Sequence, residues 1–182
     1  MKNVLLLVLI FSFNLVLSQN KIEIDSLLNE IVKTNDSKEI SKTEPAKKII
    51  EYKTKLLPTL ADFFTDQTIT NVKSECIGRN LTKGEIAIII ADRIELIIVN
   101  YIGFYYQNCL MSTCENNTNF VEFYLPFIQS VGTEKFQEKY KLWLLSDERY
   151  NTLLPAGYET KSERKIRKKE YEKAKLTIIE TK

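Results

Sequence analysis

Three carboxylates interrupt an otherwise apolar stretch, TKGEIAIIIADRIELIIVNYIGF from Thr82 to Phe104: Glu85, Asp92 and Glu95. They stand at i, i+7 and i+10. At about 100° per helical residue they fall within roughly 80° of one another, with Arg93 at the edge of the strip. Carboxylates grouped in this way can divide proton transfer between an acid and a base, as in polysaccharide hydrolases, or share a divalent cation. A hydrolase pair, however, faces across its substrate from different elements. Glu75 is the carboxylate on a second element whose place in the chain suggests it can approach. Calcium takes about six to eight oxygen ligands, and no DxDxDG loop is present to supply them. The competing reading is a solvated or ion-paired strip with Arg79 and Arg93 as neighbours. The expectation is a binding surface built from Arg79, Glu85, Asp92, Glu95, Tyr105 and Tyr106, without metal or cofactor. A catalytic role for Glu85, Asp92 and Glu95 is the alternative.

Other chemistry is excluded more directly. The chain has no histidine, which removes the usual imidazole base of serine and cysteine hydrolases and the commonest zinc ligand. Neither GxGxxG nor GxxxxGK[ST] occurs, so no glycine-rich phosphate cradle is encoded. Cysteines stand at 76, 109 and 114. Cys109 and Cys114 are too far apart to bridge on one continuous helix, where five residues separate their α-carbons by more than about 7 Å. A disulfide from Cys76 to one of them, or three small thiols, are the two readings. The aromatic segment Phe104 to Phe127 is either core or an exposed platform for a carbohydrate or a protein.

Positioning the strip requires a helix, and the sequence supplies its start. Thr82, three residues before Glu85, makes a T-x-x-E capping box. Ile86, Ala87, Ile90, Ala91, Ile94, Ile97 and Ile98 cover one broad face, while Ile88, Ile89 and Leu96 interleave with the acids, and the helix is expected to run to about Gly103. A helix apolar nearly all round is buried. Its charges oppose a lipid span, since each costs about 2.5–3.5 kcal/mol at mid-bilayer.

Around this helix, apolar residues recur at helical spacing. Ile22, Ile24, Leu27, Leu28, Ile31 and Val32 form a first stripe, followed by a polar linker from Thr34 to Pro45. A second helix starts at Ala46 and is kinked or ended by Pro58, with Leu60, Phe63 and Phe64 continuing its face. Asp66 to Arg79 is an irregular connection or a short helix around Val72 to Ile77, with Thr68 to Thr70 equally able to be extended. Tyr106 to Cys114 reads as a helix. Another, capped by Asn119 or Thr118, runs through Phe120 to Leu125 and is weakened by Pro126. Phe136, Tyr140, Trp143 and Leu144 mark an amphipathic helix opened by Thr133. The class expected is all-α, a bundle or stacked helical pairs with six to seven helices.

The ends differ from this body. MKNVLLLVLIFSFNLVLSQN carries one lysine, an apolar run from Val4 to Phe11 and a small residue at Ser18, the pattern of a secretory signal peptide. The expected organisation is a leader over 1–18, a helical domain over 19–160, and a basic, partly helical tail over 161–182. From Lys161 to Lys182 there are nine basic and four acidic residues, leaving sixteen and twenty between Gln19 and Thr160. Such a tail is a solvated terminus or a contact for an anionic surface or polymer. The expected protein is a small exported binding or interaction protein, periplasmic or secreted, with an unknown protein or envelope component as partner. Nucleic acid is not expected, and the membrane only through the leader. A carboxylate-dependent hydrolase of an envelope polymer is the alternative function.

Overall fold

The computed structural model describes residues 21–97, 102–104, 119–147, 149 and 161–180. They are mostly helical, with one two-stranded sheet. Helix α1 occupies 21–31 and buries Ile24, Leu27, Leu28 and Ile31, whereas Ile22 points to solvent and Val32 is half-buried. The stripe is therefore narrower than its hydropathy suggests.

The polar linker expected after α1 is structured instead. Asp36 caps a 3-10 turn, Ser37–Lys42, by accepting from Lys38 N at 2.9 Å, and the turn buries Ser37 and Ile40. Thr43 then caps α2, Glu44–Glu51, with Pro45 in the first turn, where its missing N–H has no helical partner to lose. A second 3-10 turn, Lys53–Leu56, leads to α3, Leu57–Ala61, and Pro58 again lies in a first turn. Proline here opens a helix rather than closing one. The same holds for Pro126 at the start of α5, Leu125–Val131, which follows a 3-10 turn over Phe120–Tyr124.

The all-α expectation needs one correction. Residues Ile69–Ser74 (β1) and Arg79–Thr82 (β2) pair antiparallel, with Gly78 at φ +71° in the connecting turn, so no helix forms around Val72 to Ile77. The inward residues of β1 are Thr70, Val72 and Ser74, while Ile69 is 75% exposed. Its buried face is thus mainly polar, and the apolar alternation by which a strand is read from sequence is missing. Thr70 is buried at little cost because its hydroxyl donates to Leu81 O at 2.8 Å and accepts from Val72 N at 3.1 Å.

Helix α4, Lys83–Ile94, follows β2 directly. The Thr82–Glu85 capping box forms: Glu85 N donates to Thr82 Oγ1 at 3.2 Å and Thr82 N donates to Glu85 Oε2 at 2.8 Å. Every residue from Lys83 to Asp92 is buried, with α2 and α3 among the elements packed on it. The helix ends nine residues earlier than its hydropathy implies, at Ile94, because Glu95 turns to φ −152°, ψ 119°. Helix α6, Thr133–Leu144, buries Phe136, Tyr140, Trp143 and Leu144 as its spacing requires. Phe64 stacks into that seam, with ring centroids 5.1 Å from Tyr140 and 5.8 Å from Phe136. Helix α7, Lys161–Glu180, closes the described chain. The helix expected over Tyr106 to Cys114 lies outside the described residues.

Gly84 shows how tightly α4 is held. A Cβ at this position would lie 2.5 Å from Phe64 O and 2.9 Å from both Phe63 O and Asp66 O, all backbone atoms. Alanine normally stabilises a helix interior by about 1 kcal/mol over glycine, but here the backbone after α3 must retreat. Gly84→Ala is expected to lower stability by about 2 kcal/mol or more, measured by urea unfolding.

Candidate functional site

The expected carboxylate strip does not present one surface. With α4 ending at Ile94, Glu85 and Asp92 lie on the helix and Glu95 beyond it, and each meets a different part of the molecule. Glu85 is 2% exposed and is held by Arg79 of β2 through paired bonds, Nη1 to Oε2 at 2.8 Å and Nη2 to Oε1 at 2.6 Å. Gln129 of α5 adds a third side-chain donor to Oε1 at 3.0 Å. The Arg79 guanidinium is raised above its usual range by the hydrogen-bonded Glu85 carboxylate. This ion pair joins the hairpin to α4 and α5, with Arg79 still partly open to solvent.

Asp92 takes backbone partners. It accepts from Ile97 N at 2.7 Å and from the backbone of Val121, drawing together the chain after α4 and the Phe120–Tyr124 turn. Burial outweighs these donors and the nearby Arg93 charge, pushing its carboxyl up to about 6. Arg93 is a charged neighbour of Asp92, and its hydrogen bonds also reach beyond the strip. Its Nη2 and Nε donate to Asn119 Oδ1 at 2.7 and 3.2 Å.

Glu95 forms the most buried pair. Arg149, 2% exposed, donates from Nε to Oε1 and from Nη2 to Oε2, both at 2.6 Å, and from Nη1 to Leu144 O at 3.0 Å. Its guanidinium lies 5.7 Å from the Trp143 ring centre. Burial and the Glu95 charge push the Tyr140 phenol well above its ordinary value. Among the described residues, Tyr140 Oη and Trp143 Nε1 are buried without a hydrogen-bond partner. The pair is thus set in an apolar, aromatic wall, where loss of one charge would strand the other.

A fourth buried carboxylate escapes sequence reasoning. Glu122 is fully buried and accepts from Ser37 Oγ at 2.8 Å, from Ser74 Oγ and from Asn119 Nδ2 at 3.4 Å. Asn119 also donates to Ser37 O at 2.9 Å. One acid therefore joins the Ser37–Lys42 turn, β1 and the Phe120–Tyr124 turn. Ser37 and Ser74 are ordinary residues in mixed stretches and Glu122 is a single acid within the aromatic run FVEFYLPF, and nothing in their local spacing links them. Glu75 stays apart, 65% exposed and paired with Lys38 at 2.6 Å.

The remaining candidates divide. Phe104 is buried, Phe123, Tyr124 and Phe127 are half-buried, and Phe120 is 70% exposed. Tyr105 and Tyr106 lie outside the described residues, as do Cys109 and Cys114, while Cys76 is half-buried in the hairpin turn. Among the described residues no group of three histidine, cysteine or acidic side chains is placed to hold a metal ion. Nor is any helix among them long and apolar enough to cross a membrane. No protein family, curated protein or solved structure matches the chain.

Two outcomes follow from these geometries. Because the native Asp92 carboxyl is raised from its ordinary 3.8 to about 6, ionising it costs more in the folded than in the unfolded chain. Its destabilisation appears as pH rises through 4 to 6 and is complete above, at about 3 kcal/mol at most. Asp92→Asn, which keeps an acceptor for Ile97 N, is expected to gain on the parent in urea unfolding between pH 4 and 7.5. For the Glu95–Arg149 pair, Arg149→Met or Glu95→Leu alone is expected to cost about 3–5 kcal/mol, and the double substitution much less than their sum.

Proposed function

We propose that this chain is a small exported binding or interaction protein of the cell envelope or extracellular space that acts without catalysis. The observation that carries the reading is the engagement of its candidate acids. Glu85 and Glu95 are each gripped by a bidentate arginine, and Asp92 is turned to backbone N–H groups. Acid and base catalysis needs carboxylates that reach substrate from opposing elements, whereas these three hold elements together. A half-exposed arginine locked by a buried acid is a rigid contact point, and Arg79 offers one beside the hairpin.

In this reading residues 1–18 are a cleaved leader and 19–160 form a single helical bundle or set of stacked helical pairs that also carries the two-stranded sheet. Residues 161–182 are its basic tail. Cys76, in the hairpin turn, pairs with Cys109 or Cys114 in the oxidising compartment that export implies. The contact surface joins Arg79 to the aromatic segment at Tyr105 and Tyr106, and the partner is a protein or an envelope component rather than nucleic acid.

One observation favours a second reading. A carboxyl raised to about 6 by burial, as at Asp92, lies in the range of general acids. A hydrolase of an envelope polymer would draw on it, with Glu85 or Glu95 as base. Expression with the leader in an exporting host separates these readings. The exported fraction is expected to begin near Gln19 and to change mobility on reduction. It is expected to bind envelope fractions less well as Arg79→Ala, and to release no soluble fragments from purified envelope polymers. Fragment release that disappears in Asp92→Asn would replace this reading with the hydrolase.

A further inference from the structure

Helix α7 is fastened to the body by one face. Tyr171, 9% exposed, donates its hydroxyl to Ser146 O, and Lys175 Nζ lies 2.8 Å from Asp147 Oδ1 and 5.9 Å from the Tyr171 ring centre. The helix also packs on the Lys53–Leu56 turn. At about 100° per residue, the face opposite Tyr171 carries Ser162, Lys165, Ile166, Lys169, Lys173 and Leu176 within an arc of roughly 100°. All six are exposed, and Ile166 and Leu176 are each 58% exposed. Along α7 one acidic position falls in that arc, Glu180 at the C-terminal end beyond Leu176, while Glu172 lies just outside it.

We propose that this face is a docking surface for a membrane carrying anionic phospholipid headgroups, on which α7 lies flat. Three lysines on one side of a docked helix complement a negatively charged surface. The two apolar side chains select lipid over a charged polymer. They stand ten residues apart, about 15 Å along the axis, and interleave with the lysines. A bilayer interface accepts isoleucine and leucine below its headgroups while lysine ammonium groups remain at the phosphates. A polyphosphate chain offers nothing for the apolar pair. The contact is peripheral and reversible, because two apolar residues and a few lysines are far from the anchoring power of a spanning helix. It stands on α7 alone and does not depend on the Arg79 surface.

The test uses the full chain with Ile166→Trp. Trp143, 4% exposed, is the chain's one native tryptophan and supplies a constant background. With vesicles of equal parts phosphatidylglycerol and phosphatidylcholine, the new indole is expected to shift to the blue and to be quenched by acyl-brominated lipid. Phosphatidylcholine alone should leave it at its solvent emission. Adding K165E/K169E is expected to weaken the response by about 30-fold or more in lipid concentration, since each surface lysine contributes about fivefold. Helicity by circular dichroism should be unchanged, as both sites are exposed. Reading the indole at 166 separates this face from any binding by the apolar N-terminus. A solvent-like indole on both vesicle types overturns the proposal, as does an equal shift on both. Retention on heparin or a polynucleotide that is lost in K165E/K169E, without any vesicle response, would assign the face to an anionic polymer instead.

Discussion

Helix α4 is buried on every side, and the rest of the structure is arranged around that constraint. A helix with a wet face can leave its acids in water. Here Lys83, Glu85 and Asp92 go inside with the isoleucines. Burying a charge without a partner costs several kcal/mol, so each must be met by a counter-charge or by oriented dipoles. The partners come from all around. Arg79 arrives on the hairpin, Gln129 on α5, and backbone N–H groups from Ile97 and Val121. At the first turn, Lys83 is met by Asp25 at 2.6 Å and Asn29 at 2.8 Å from α1. Satisfying α4 thus fixes where α1, the hairpin, α5 and the 3-10 turn sit.

The same logic repeats away from α4. Glu95 and Arg149 complete each other in an aromatic pocket, and Glu122 gathers two serines and Asn119 where two 3-10 turns meet β1. Buried polar networks of this type stabilise less than their bond count suggests, because desolvation offsets much of the gain. Their effect is on register: an alternative packing would strand at least one charge. The acids are held inside as structural pins, and the charged groups left open to solvent lie further out, at Arg79 of the hairpin and on the outer face of α7.

Much of the fold is legible in short-range patterns. The Thr82–Glu85 box starts α4 where it should, because both of its bonds join residues three apart and need nothing distant. The buried seam of α6 and the stripe of α1 follow from helical spacing in the same way. The errors are physical too. Pro58 and Pro126 stop a helix only from its interior, and each lies in a first turn, as Pro45 does at the start of α2. The end of α4 was hidden because Leu96 and Ile97 continue the apolar run, while the backbone turns at Glu95 as its carboxylate meets Arg149. Strand β1 was hidden because Thr70 and Ser74 face inward and Ile69 outward, the reverse of the usual alternation.

What the amino-acid sequence determined by itself is therefore local: a mostly helical chain, the start of α4, the identity of its acids, and a basic C-terminal segment. What the tertiary structure alone decided is which groups meet. Glu95 and Arg149 are 54 residues apart, Ser74 and Glu122 are 48, and Ser37 and Glu122 are 85. No periodicity links such positions, since a charge at any exposed or buried site looks the same in sequence until the chain folds round it. Whether three nearby acids form a cleft or three separate pins depends on what lies opposite each. That is a property of packing, which the spacing of residues along one helix does not contain.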